Sequence, residues 1–151
     1  MQTRRNALKK SAVVAGLLAS TGLFPQFAFA FNKSAFEAKS VADALKALGA
    51  GAPVESKDVT VTGPDIAENG SVVPVGVATT LSGVKSMLIM VEKNPATLTA
   101  LFHVTDSVES AFQARVKMGQ SSDVYAIAVM NDGKVLFAKK EIKVTLGGCG
   151  G

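Results

Sequence analysis

Nucleophilic or redox chemistry calls for a thiol, an imidazole or a marked pair of carboxylates, and this chain offers few of them. Its one cysteine, Cys149, stands third from the end in VTLGGCGG, between Gly147-Gly148 and Gly150-Gly151. A thiol used for packing behaves as a small hydrophobe and belongs inside a core. Paired glycines tolerate nearly any backbone conformation and have no side chains with which to hold Cys149 there. The expectation is a flexible arm over residues 147–151, whose three residues beyond Leu146 carry the thiol about 10 Å from the body.

No second group competes with that thiol. The single histidine, His103, lies in LTALFHVT, where alternation puts it on a face with Leu101 and Thr105, opposite Phe102 and Val104. As the sequence's one histidine it reads as a structural or surface residue, so neither a catalytic triad nor a histidine-based metal site is expected. There is no Walker loop and no dinucleotide-binding glycine motif. The twelve acids are scattered and mark out no acid–base pair. The body reads as a scaffold with no catalytic residues.

The first 30 residues read as a cleaved export signal. They have a basic start, an apolar run over Ala12–Ala19 and a small-residue cleavage pattern ending at Ala30. Thr3–Lys9 resembles the twin-arginine export motif through Arg4 and Arg5, with Ala7 in place of a bulky apolar residue. Gly16, Ser20, Thr21, Gly22 and Pro25 interrupt the run and argue against a membrane anchor. The expected location is the periplasm, reached in the folded state. The formal charge of +4 resides in this signal: Arg4, Arg5, Lys9 and Lys10 lie there, and residues 31–151 balance twelve cations against twelve anions. No basic surface for nucleic acid is expected. In an oxidising compartment a lone cysteine closes no loop within its own chain, so the core must stand without disulfides.

One apolar face over Ser34–Leu48 (Phe36, Val41, Ala44, Leu45, Leu48) predicts a packing helix that stops at Gly49. Extended runs follow at Val59–Thr62, Ser71–Thr79, Val84–Glu92, Leu98–Val104, Ala111–Met118, Asp123–Met130 and Lys134–Leu146, separated by Gly63-Pro64, Asn69-Gly70, Ser82-Gly83, Asn94-Pro95 and Asn131-Asp132-Gly133. In AFQARVKM, Phe112, Ala114, Val116 and Met118 share one face; in EIKVTL, Ile142, Val144 and Leu146 do. MNDGK predicts a tight hairpin. Val73, Val75 and Val77 are expected in the core rather than at a partner contact, and Pro74 implies an edge or a bulge. The fold class is therefore mainly β: an immunoglobulin-like antiparallel β-sandwich of about seven strands with an N-terminal helix, over residues 31–146.

Several uses of an exposed terminal thiol compete. Prenylation places cysteine fourth from the end of a cytosolic protein and does not fit. An odd cysteine in an exported chain also suits an interchain disulfide, making the chain a structural module that dimerises through Cys149. A carrier thiol accounts for the glycines as well. The end Gly150-Gly151 also looks like that of ubiquitin-like carriers, which hold sulfur on the terminal carboxylate, here Gly151; that chemistry needs ATP. An exposed thiol near its ordinary value of about 8.5, beside a terminal carboxylate that disfavours the thiolate, is only a few per cent thiolate at neutral pH.

EIKVTLGGCGG closely resembles the C-terminus of the SoxY family, the sulfur-carrier subunits of the SoxYZ complex in bacterial thiosulfate oxidation. The N-terminal helix, the segment PDIAENGSVVPV at Pro64–Val75 and the hairpin at Asn131–Gly133 are also similar. The resemblance implies a carrier rather than an enzyme, with sulfur substrates attached covalently to Cys149 and no other cofactor. It implies a SoxZ-like partner in a heterodimer, a SoxXA-like cytochrome that loads thiosulfate, a SoxB-like hydrolase that releases sulfate, and, where present, a SoxCD-like dehydrogenase.

Overall fold

The apolar run VKSMLIMV at Val84–Val91 has too few polar positions for a strand with one face in water, and the fold shows why. The computed structural model describes residues 32–146. In it this run is strand β5, from Val84 to Val91, buried at every position except Lys85. Met87, Ile89 and Val91 point into the space between two sheets. Leu88 and Met90 point the other way, beneath two helices. A strand covered on both faces reads as a continuous apolar run.

The elements are α1 (Lys33–Phe36), α2 (Val41–Ala47), β1 (Pro53–Glu55), β2 (Val59–Thr62), β3 (Ile66–Asn69), β4 (Val73–Thr79), β5, β6 (Leu98–His103), β7 (Ala111–Val116), β8 (Ser122–Met130) and β9 (Val135–Leu146). The larger sheet runs β1-β9-β8-β5-β6, with β3 also paired to β9; the smaller runs β2-β4-β7. Between them lies an aliphatic core containing Val73, Val75, Val77, Met87, Ile89, Val116, Met118 and Ile142. Phe102 of β6 and Phe112 of β7 stack across the open side of the sandwich at 4.5 Å, which adds an aromatic contact to the area they bury. The result is the expected immunoglobulin-like sandwich, and the three valines of β4 are in its core.

The seven anticipated strands are all present. Two short strands, β1 and β3, add to them, and both pair with β9 in parallel, so the larger sheet is mixed rather than purely antiparallel. Pro74 sits where β4 runs past the end of β2, whose last pair is Thr62 with Gly76. At that point β4 has only β7 beside it, the local edge that proline requires.

One further expectation changes. The single helix over 34–48 is two helices, because Ser40 adopts extended backbone and its side chain accepts the Asp43 N–H as an N-cap. The intervening Ala38 carbonyl is taken by the Thr97 N–H of the β5–β6 turn. Asn32 ties the helices together, its Oδ1 accepting from Ala35 N and its Nδ2 donating to Ala47 O. The β8–β9 hairpin is a three-residue loop, Asn131–Gly133, with Gly133 at φ +89° and its N–H donating to Met130 O, the form in which a left-handed glycine ends the turn.

Candidate functional site

Cys149, Gly147, Gly148, Gly150 and Gly151 lie outside the described residues, as do Arg4, Arg5 and Ala30 of the expected export signal. What the structure defines is the point from which the terminal segment departs, the end of β9. β8 begins at Ser122, paired with Ile142, so the last four residues of β9 project beyond the main ladder. Other groups hold them.

On one side β3 runs parallel to that projection, pairing Ile66 with Lys143, Ala67 with Val144 and Asn69 with Leu146. Lys143 N–H donates to Asp65 O at 3.0 Å, and the Thr145 hydroxyl donates to Glu68 O at 3.0 Å. On the other side the Ser121 hydroxyl oxygen accepts the Val144 N–H at 2.9 Å, continuing with a side chain the ladder that β8 has not yet started. The last carbonyl, that of Leu146, accepts from Gly70 N–H at 2.7 Å, and the Gly70 carbonyl accepts from Met118 N–H at 2.7 Å. The Asn69–Ser71 turn that presents Gly70 is closed by Asn69 Oδ1, which accepts the Ser71 N–H at 2.8 Å. The root of the arm is thus chained through Gly70 to the exit of β7.

A cation locks β3 in place. Lys140 Nζ donates to Gly63 O at 2.7 Å and pairs with Asp65 Oδ1 at 2.8 Å. That hydrogen bond, with the ammonium charge, holds the Asp65 carboxyl below the usual carboxylate range. Leu146 was expected to face inward with Ile142 and Val144, but it is 69% exposed. The inter-sheet core ends at Val144, which packs against its rim, so the side chain beyond it has no facing sheet.

His103 is exposed at the end of β6, and among the described residues no group of three or more His, Cys, Asp or Glu could hold a metal ion. Tyr125, on the outer face of the larger sheet, has its phenol pushed up by burial and then by Glu92. A cleft of about 740 Å³, lined among others by Thr79, Ser82, Asp106, Glu109 and Ser110, opens at the far end of the sandwich, where β4 ends and β7 begins. No helix among the described residues is long and apolar enough to cross a membrane.

The family model described as sulfur oxidation protein SoxY matches residues 44–149, more than two thirds of the chain, and its match stops on Cys149. The chain belongs to the SoxY family. Among solved structures this SoxY-family chain is similar to the sulfur carrier protein SoxY from Chlorobium limicola f thiosulfatophilum, with 29% sequence identity and a TM-score of 0.60 over 68% of this chain and 92% of that one. A superoxide reductase (neelaredoxin) from Ignicoccus hospitalis shares the fold alone, at 18% identity and a TM-score of 0.51, covering 57% of this chain and 79% of that one. No curated protein matches the chain. The SoxY match spans the whole sandwich, including the PDIAENG segment now seen to carry β3 and the Gly70 turn. Ser121 and Lys140 were not singled out from sequence; the Asn69-Gly70 turn signal and the PDIAENGSVVPV segment, which contains Asp65 and Gly70, pointed to this corner.

Proposed function

We propose that this chain is a sulfur carrier in thiosulfate oxidation, holding its cargo on the thiol of Cys149. The observation that carries the reading is the family match that runs through the sandwich to Cys149, joined to a β9 whose last residues are fixed on both sides. A thiol on a short glycine segment beyond a fixed root sweeps a limited volume, which raises its effective concentration at any partner docked near that root. The reading also places the protein in the periplasm, exported through the Arg4-Arg5 signal and cut after Ala30, in complex with a SoxZ-like subunit.

The chemistry asks little of the carrier itself. A SoxXA-like cytochrome would join the Cys149 sulfur to the outer sulfur of thiosulfate, forming a cysteine S-thiosulfonate; the thiol proton would go to water and the two electrons would leave one at a time through the cytochrome. A SoxB-like hydrolase would add water to the terminal sulfonate, releasing sulfate and two protons and leaving a persulfide. Where a SoxCD-like dehydrogenase is present, the remaining sulfane sulfur would be oxidised while still attached. The protein is then a substrate of its partners and needs no cofactor beyond the covalent sulfur. Glycines at 147, 148, 150 and 151 suit entry of the thiol into narrow sites that a Cβ would obstruct.

The test is a reconstitution with the partner proteins, comparing the wild-type chain with Cys149→Ser. The carrier reading expects thiosulfate-dependent cytochrome reduction to fall to background with the serine chain, at unchanged thermal stability. Equal rates would refute it. A reductant-sensitive dimer with no sulfur adduct would favour the dimerising module instead.

A further inference from the structure

The three-stranded sheet β2-β4-β7 carries no acidic residue in any of its strands. Its outer face presents hydroxyls from Thr60 and Thr62, the ring of Pro74, and then Gln113 and Arg115 of β7, continued by Lys117. Burial alternates cleanly through this stretch, with Val116 and Met118 buried and Arg115 and Lys117 exposed. The two cations therefore leave the same face, about 7 Å apart along the strand. Neither enters an ion pair among the described residues, whereas Lys139 is paired with Asp123 and Lys140 with Asp65. Beside Arg115 lies a shallow hollow of about 340 Å³ lined by Pro74, Gln113, Ala114 and Arg115.

This face adjoins the root of the arm. Leu146 C=O is bonded to Gly70 N–H, and Gly70 C=O to Met118 N–H, so Met118 stands two hydrogen-bonded steps, about 10 Å, from Leu146. Lys117 is its neighbour, and three residues of arm span about 10 Å. Arg115 comes within range once the lengths of its side chain and of the loaded cysteine are included. Lys143 is also near the root, but Glu141 stands two residues back on its own strand and Glu68 on the adjoining β3.

We propose that Lys117 and Arg115 form an anion subsite on the outer face of the smaller sheet, which receives the sulfonate end of the cargo on Cys149 and holds the loaded arm there between transfers. The occupant is residues 147–151 carrying a thiosulfonate-class anion. Arm length and charge complementarity both select it. The inference rests on the carrier reading and adds to it a place on this chain where the cargo rests.

Tetrathionate supplies the test, because it both loads the thiol and is itself an anion. The Cys149 thiolate attacks one sulfane sulfur, a new S–S bond forms, the central S–S bond breaks, and thiosulfate leaves with the electron pair. The chain acquires the S-thiosulfonate with no other oxidant. Rates of Cys149 modification by tetrathionate and by the neutral disulfide 4,4′-dithiodipyridine are compared in the intact wild-type chain and in Arg115→Gln/Lys117→Gln. The subsite predicts a loss of about three- to tenfold for tetrathionate at low ionic strength, abolished in about 1 M salt, with the neutral reagent unaffected. It also predicts that loading shifts the amide resonances of Gln113–Lys117 in the wild type and not in the double variant. Unchanged tetrathionate rates, equal slowing of both reagents, or shifts confined to the Lys143 side would overturn the subsite. Those results leave the carrier reading standing; a Cys149 that takes up no tetrathionate adduct sinks the carrier reading as well.

Discussion

Lys140→Met tests whether β3 is the brace on which the arm's root depends. Methionine keeps most of the length and apolar contact of the lysine stem and removes the ammonium. Two interactions go: the 2.7 Å bond to Gly63 O and the 2.8 Å pair with Asp65. Asp65 is 89% exposed, so solvent screens the pair and it adds little. The carbonyl bond dominates, since it is charge-assisted and the Lys140 side chain is only 32% exposed; its loss costs about 1–2 kcal/mol. That corresponds to a fall in Tm of about 4–8 °C for a domain of this size. Hydrogen exchange at the Lys143 amide, which donates to Asp65 O, should accelerate more than exchange in β5. The pH dependence has a defined sign. Because Lys140 holds the folded Asp65 carboxyl below its ordinary value, its contribution is present above about pH 4 and is lost as pH falls through the folded value. The gap between wild type and variant therefore narrows in acid without closing, since the Gly63 bond does not titrate. An unchanged Tm together with unchanged exchange at Lys143 and Gly70 would refute the assignment of Lys140 as the brace.

Ile142, fully buried between the sheets four residues before the end of β9, should cost about 3 kcal/mol as Ile142→Ala, read as a lower denaturant midpoint at constant slope. Gly133→Ala should cost about 1 kcal/mol by the same measurement: no atom lies within 4 Å of the added Cβ, but φ is +89°, so the penalty is conformational rather than steric. Ser40→Ala removes the cap of α2 and should lower stability by about 1 kcal/mol, with the loss of helical signal confined to that segment.

Much of this architecture is written in local pattern. β7 alternates inward and exposed positions through Phe112–Val116, and β5 is continuously apolar because helices cover its second face, so both announce themselves. β1 and β3 do not. Each is three or four residues long with mostly exposed side chains, and each exists because β9, about 80 residues away, offers a parallel edge; no local periodicity encodes that. The break between α1 and α2 was missed because the apolar spacing runs across it; the Ser40 cap that makes it shows only in the fold. Leu146 shows the limit of alternation: it keeps the inward parity of Ile142 and Val144 after the core has run out. The candidate site divides in the same way. Cys149 stands out by residue type and setting alone, whereas Lys140 and Thr145 bond to carbonyls 77 positions earlier, contacts that only the folded sheet brings together.

The central claim is that Cys149 carries sulfur, and the most direct measurement is the intact mass of the chain isolated from its host grown on thiosulfate, with and without reductant, beside Cys149→Ala. The account predicts reductant-labile sulfur or thiosulfonate additions that map to Cys149 and are missing from the alanine chain. A chain found only unmodified, or only as a disulfide-linked dimer, would contradict it.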